Sequence, residues 1–303
     1  MSATVRGAIY GLSAAGIWGG MYVVSDIVLQ TIPPFMLLTI RLLTAVILLG
    51  IFAWRSRAAF PQRRTLLSIL GIGLLGFGVS VGAQFVGTDR STAVNGALIT
   101  SASPAFILFF ASLVLHEQIT LRRLAAVALA TMGVIVIIDL SQIDISSNAF
   151  VGNLALALAA LTWGLYSVLV RRASRHVDTL MFSFLAPVGG LFLTIPAAAL
   201  ELAIRPIGII TFGIVLGVLY LGVISTAVAM LLWNRAFALV DASVASLFFF
   251  AQPLVGTLLS VVILDQQMTV NLWVGSILIA AGVLLSLSRE KSADITPAAV
   301  AGD

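Results

Sequence analysis

Cysteine is absent from this 303-residue chain, which removes disulfides, thiolate nucleophiles and cysteine-based metal sites together. Charge is scarce as well. Asp, Glu, Lys and Arg make up 9% of the residues, against about 25% in ordinary soluble domains. Histidine occurs twice, as His116 and His176. The two form no ligand-spaced pair, so no metal site, catalytic constellation or bound cofactor is expected.

What fills the chain instead is apolar sequence, 60% of all residues. It arrives in runs of roughly 20 residues, enough for a helix to cross a hydrocarbon core of about 30 Å. Backbone amides inside lipid must be satisfied within their own segment, so these runs read as helices. The alternating ten-residue segments of a membrane β-barrel are missing. Turn residues and charges divide the chain into ten predicted spans: 5–29, 35–54, 65–87, 92–115, 121–140, 151–170, 179–200, 207–234, 242–264 and 271–288. The breaks include Pro33-Pro34, Pro61 among the arginines 55–64, and the polar stretch 141–148. The first run reads as an uncleaved helix, since only Arg6 precedes it and more spans follow.

Loop charge assigns sides. Arg6, Arg55, Arg57, Arg63, Arg64, Arg122, Arg123, Arg171, Arg172, Arg175, Arg235, Arg289 and Lys291 all fall on one side of a ten-span layout. The opposite loops carry only Arg90 and Arg205, against Asp26, Asp89, Asp139, Asp144, Glu201 and Asp265. Basic loops stay in the cytoplasm, so both termini are expected there. The pI near 10.1 follows from these loops. No basic stripe interleaved with aromatics supports nucleic-acid binding; the expected partners are membrane lipid and a small-molecule substrate, with a monomer expected and a homodimer as the alternative.

The sequence also repeats itself. Ser103-Pro104-Ala105-Phe106, Glu117 and Gly133 recur as Gln252-Pro253-Leu254-Val255, Gln266 and Gly282, while Trp18-Gly19 with Tyr22 recurs as Trp163-Gly164 with Tyr166. Residues 1–140 and 150–289 are thus read as two copies of one five-helix unit, followed by a polar tail, 290–303, expected to be disordered. Five is odd, so the second copy enters the membrane from the other side. The expected fold class is all-α integral membrane, with two inverted five-helix repeats around a central cavity at their interface.

These residues, in this order and duplication, resemble the drug/metabolite transporter superfamily and its bacterial EamA-type branch. The resemblance rests on Trp18-Gly19, Thr39-Ile40-Arg41-Leu42, the run from Ala93 through Pro104 and His116-Glu117 to Gly133, and their second-copy counterparts. It covers essentially all the chain except the tail. It implies a basket of ten helices around a cavity lined mainly by helices 1, 3, 4, 6, 8 and 9, in a multi-pass protein of the cell inner membrane. It also implies export or exchange of small metabolites, prominently amino acids. The second copy departs from it at Gln266 and has no counterpart of Arg41.

Polar groups inside apolar spans are costly in lipid and should face protein or a wet cavity. Gln84, Asn95, Ser101, Ser167, Ser225, Ser246 and Gln252 are the candidates, with interhelical hydrogen bonding as the competing role. Trp18, Tyr22, Trp163, Tyr166 and Trp233 form an aromatic set, read as cavity-lining with core packing as the alternative, and within it Trp18 and Trp163 lie near mid-span in equivalent repeat positions. Trp233 is expected nearer the cytoplasmic end. Pro104 and Pro253 interrupt helices 4 and 9 as either hinges or static kinks. Glycine pairs at four-residue spacing (Gly16 and Gly20, Gly78 and Gly82, Gly213 and Gly217) are read as close helix contacts. Arg41 is the one charge embedded in a span. It could snorkel outward, pair with a helix-end carbonyl or with Asp26, or bind a substrate carboxylate.

Every Asp and Glu lies in a loop, in the tail or at a helix end. A proton-coupled pump commonly places a carboxylate or histidine in mid-membrane, so alternating access by facilitated diffusion or exchange is the expected mode. Proton-coupled export of amines, lipophilic cations or drugs is the alternative. An integral-membrane enzyme lacks its acid–base partners, and a passive pore lacks its ring of like polar residues.

Overall fold

The computed structural model describes residues 2–91, 96, 99–137, 147–252, 254–255 and 270–287, and these contain helices and no strand. Helix α1 (Ala3–Leu29) starts at Ser2, whose hydroxyl accepts from the Val5 N–H, and α2 (Pro34–Arg55) starts with proline in its first turn. There the ring's fixed φ fits the helix and its missing N–H costs nothing. Helix α3 (Arg63–Arg90) and, after Pro104 in its first turn, α4 (Ser103–Leu115) follow. His116 closes α4 in the left-handed region at φ 57°. Then come α5 (Leu121–Ile137), α6 (Ser147–Ala173) and α7 (Thr179–Ile204), the last capped by Asp178. Helix α8 spans Phe212–Leu239, α9 begins as Ala242–Ala245 and tightens into a 3-10 segment Ser246–Phe250, and α10 is Val270–Leu287.

Six of these helices are long and apolar enough to cross a membrane: α1, α2, α3, α6 from Ala149, α7 and α8. The expected count of ten spans also draws on residues 92–95, 97–98, 138–146 and 256–269, which lie outside the described residues, as does the tail. One predicted boundary is corrected. The eighth span was placed at 207–234, but α8 begins at Phe212 and runs to Leu239. Residues 207–211 are instead tied down as a loop, with the Gly208 N–H donating to Thr31 O at 2.8 Å, and Thr211 provides the helix cap.

Small residues do set close helix contacts, though mostly at other positions than the spacing suggests. A Cβ on Gly73 would lie 1.8 Å from Ala186 O and one on Gly189 would lie 2.1 Å from Leu70 O, so α3 and α7 meet backbone to backbone. Likewise a Cβ on Gly133 would lie 2.7 Å from Gly275 O and one on Gly282 would lie 2.7 Å from Ala126 O, so α5 and α10 also approach closely. Gly16 and Gly213 touch nothing tightly, whereas Gly217 packs on Val28, Gly78 on Leu193 and Gly82 on Phe35.

Both α3 and α8 carry a π-helical stretch near their middle, Leu74–Ser80 and Tyr220–Val228. The two stretches share a local pattern, with Leu75-Gly76 and Ser80 matched by Leu221-Gly222 and Thr226. A π turn widens the helix by one residue and re-aims the side chains beyond it, and such turns often sit at functional sites. Here they place Ser80 and the Ser225-Thr226 pair toward the centre of the bundle.

Candidate functional site

A cavity lies at that centre. Its wall includes Trp18 and Met21 from α1, Arg41 from α2, Ser80, Val81 and Gln84 from α3, and Thr100 and Ser103 around the start of α4. The other side is Ala159, Ala160 and Trp163 of α6, Met230 of α8, and Phe249 and Gln252 of the ninth segment. The cavity has a volume of about 30 Å³, enough for a few waters. Ligand pockets for whole small molecules run to about 300 Å³ and more, so admitting a solute requires the walls to part.

Much of the wall is made of positions that match between the two halves. Trp18 faces its counterpart Trp163, Gln84 has Met230, Thr100 has Phe249, and Ser103 has Gln252. Sequence reasoning named Gln84 and Gln252 but passed over Met230 and Ser103, because it sought polar residues one at a time. The displacement that aligns Pro104 with Pro253 also pairs Gln252 with Ser103 and would have found it, whereas Met230 needs the different offset that aligns Leu75-Gly76 with Leu221-Gly222. Met21, Ser80, Val81, Thr100, Ala159, Ala160 and Phe249 were also missed; Ser80 could have been read from the shared Leu-Gly pattern.

The floor is aromatic. Trp18 and Trp163 meet edge to face, centroids 5.7 Å apart at 81°. Trp233 lies 5.2 Å from Trp18 and 6.4 Å from Trp163, and Phe249 lies 5.8 Å from Trp233. Trp233 is therefore corrected from a peripheral position to the middle of the cluster, fully buried. The Trp18 indole donates to Ser225 O at 2.9 Å, which fixes its ring. The indole N–H groups of Trp163 and Trp233 have no partner among the described residues. Tyr166 stacks beside Trp163 at 5.0 Å and donates to Asn234 Oδ1 at 3.4 Å. It is packed behind the wall.

Arg41 is 1% exposed. Its Nε donates to Thr226 Oγ1 at 2.9 Å, and its Nη2 reaches Ser225 Oγ at 3.4 Å and Met21 Sδ at 3.5 Å. Its guanidinium carbon stands 4.9 Å over the Phe85 ring. Thr226 can accept this bond because its own hydroxyl proton goes to Leu221 O, five residues back in the π turn. Neither snorkelling nor pairing with Asp26 occurs, since the side chain is buried and every described partner is neutral.

The remaining candidates divide. Ser225 acts from behind, holding Trp18 and Arg41. Ser246 bonds Ser243 O at 2.8 Å in its own turn. Ser167 and Ser101 are buried outside the wall, and the Ser167 hydroxyl has no partner among the described residues. Pro104 opens α4 after a turn at residues 101–102. Asn95, Pro253 and the side chain of Tyr22 lie outside the described residues.

Charged ties close the bundle at two ends. At the basic end Glu117 accepts from the backbone N–H groups of Ala242 at 2.9 Å and Ser243 at 3.1 Å, and from the Ser243 hydroxyl. It thereby caps α9 from a distant loop. Arg123 lies 3.6 Å from Glu117 and 2.9 Å from Asp241, and Arg171 bonds Phe237 O and Ala238 O. At the opposite end Glu201 caps α2 through Phe35 N at 2.8 Å and Met36 N at 3.1 Å. Arg205 there joins Asp89 at 2.7 Å to Leu29 O at 2.7 Å.

A bundle of membrane-length helices with a small polar and aromatic chamber inside it, and ion pairs toward either end, fits a membrane transporter. The sequence profile of the EamA-like transporter family matches the chain twice, over residues 5–139 and 150–288, and the chain belongs to that family. It is 23% identical to the uncharacterized transporter YoaV of Bacillus subtilis, over 92% of this chain and 97% of that protein. With the uncharacterized transporter YetK of the same organism it shares 25% identity over 97% of this chain and 90% of the other. A solved crystal structure superposes with a TM-score of 0.77 at 22% identity, covering 92% of this chain and 96% of that one, a likeness of fold.

Proposed function

We propose that this multi-pass membrane protein is a secondary transporter that exports or exchanges small amphipathic metabolites, with amino acids the favoured class, by alternating access. The observation that carries the proposal is the cavity itself. Its wall draws paired positions from both halves, so rocking one half against the other opens it to either side in turn. The double family match supports reading the halves, about 1–140 and 150–289, as inverted five-helix repeats, and the loop arginines support cytoplasmic termini in the inner membrane. The aromatic floor suits an apolar side chain, while the Ser80 and Thr100 hydroxyls, whose protons go to Ala159 O and Gly96 O, present acceptor oxygens and Gln84, Ser103 and Gln252 add polar groups to the wall.

Among the described residues no Asp or Glu belongs to the cavity wall, which favours facilitated or exchange transport over proton coupling. A guanidinium in the wall argues against export of amines and lipophilic cations. Counterflow of a labelled amino-acid panel into proteoliposomes tests the reading. Accumulation above empty liposomes is expected, reduced by Trp163→Ala and Gln252→Ala. No exchange across a broad panel refutes transport of this class, and accumulation of a neutral solute driven by a pH gradient alone refutes the uncoupled mode.

A further inference from the structure

We infer that Arg41 is the anchor for a carboxylate, so that the solute carried is a monocarboxylate or zwitterion with an apolar body; the inference rests on the transporter reading only for the word "carried". A buried guanidinium is costly unless it is paired and fully hydrogen-bonded. Arg41 is 1% exposed and lies in the cavity wall. Its partners are two hydroxyls, a thioether and an aromatic face, all of them neutral. Its Nη1 has no partner at all among the described residues.

Structural arginines in this protein look different. Arg123 and Arg205 each hold a carboxylate at 2.9 Å or less, and Arg171 holds two carbonyls besides lying 3.7 Å from Asp241. Arg41 alone among these four has its charge uncompensated, and it alone borders the cavity. The chamber beside it has room for a few waters or a small head group. A carboxylate there would take the free N–H and cancel the charge of a guanidinium that is itself 1% exposed, and charge-assisted bonds of this kind are stronger away from water.

The surroundings narrow the class further. With no acidic residue among the described residues of the wall, a free amine would find amide and hydroxyl oxygens and indole faces there, whereas a carboxylate finds a full positive charge. One arginine supplies one charge, so dianions such as phosphate esters are left half-neutralised. The Trp18, Trp163 and Phe249 faces complete the site by taking an apolar body.

Binding and transport are measured separately. Quenching of intrinsic tryptophan fluorescence by 3-phenylpropionate, 3-phenylpropanamide and 3-phenylpropylamine is followed on detergent-solubilised protein, and counterflow of the same three plus phenylalanine is followed in proteoliposomes. The carboxylates are expected to bind and exchange, with the amide and the amine at least about thirtyfold weaker. Arg41→Gln should abolish that preference, and Arg41→Lys, which keeps the charge and loses the fork, should retain part of it. Monodisperse elution of both variants establishes that they fold. Equal binding of carboxylate and amide, or an unchanged preference in Arg41→Gln, overturns the inference while leaving transport intact. Arg41-dependent binding without counterflow upholds the carboxylate site and removes the transporter reading.

Discussion

Replacing Glu117 by Gln should open the basic end of the bundle. The Glu117 carboxylate takes three hydrogen bonds from the start of α9 and faces Arg123 at 3.6 Å, with its side chain only 12% exposed. Hydrogen bonds to a charged group contribute about 1.5–3 kcal/mol each. Gln keeps one acceptor oxygen but turns the other position into a donor, aimed at donors. The expected loss is therefore one charged bond and part of an ion pair, about 2–3 kcal/mol. If those contacts exist only when this end is closed, the balance moves toward the open form by about 30- to 150-fold. The native chain has no cysteine, so Ser246→Cys gives a single, nearly isosteric thiol on the buried side of α9. Its reaction with a membrane-impermeant maleimide should speed up by at least about tenfold in the Glu117→Gln background. An unchanged rate in a protein that remains monodisperse would mean that these bonds stabilise the fold in every state and do not act as a gate.

Three further outcomes are expected. Arg205→Gln, which removes the ties to Asp89 and Leu29 O, should favour opening at the other end and leave the Ser246→Cys rate unchanged or lower; an increase would refute the assignment of the two ends to opposite gates. Gly189→Ala places a methyl 2.1 Å from Leu70 O and should lower the thermal midpoint in detergent, at a cost of about 1–3 kcal/mol for overpacking, whereas Gly213→Ala in open space should not. Empty Arg41 carries an uncompensated charge, so the empty carrier should reorient slowly, and efflux of a loaded carboxylate should accelerate when the same carboxylate is present outside. Equal rates with and without it count against this.

The apolar runs and scarce charge were sufficient to read a helical membrane protein, because satisfying the backbone in lipid leaves few choices. The repeat was legible in Trp18 and Trp163, whose rings do meet at the cavity. Helix ends were less legible where the cap comes from elsewhere. Pro33 and Asp241 give α2 and α9 no side-chain cap; Glu201 and Glu117 supply the acceptors from segments far along the chain, which no local pattern records. The start of α8 moved for the same kind of reason, since residues 207–211 are held by a backbone bond to Thr31.

By itself the sequence determined the class of protein and the positions of most of the described helices, since these depend on hydrophobic length and turn chemistry. Tertiary structure alone decided what surrounds each polar group. Whether Arg41 meets Asp26 or two hydroxyls beside a cavity depends on α8 crossing α2 with its π turn in register. Whether Trp233 lies at an end or at the centre depends on how α8 packs against α1 and α6. Those are distances between residues far apart in the chain, 185 positions for Arg41 and Thr226, and they are set by packing.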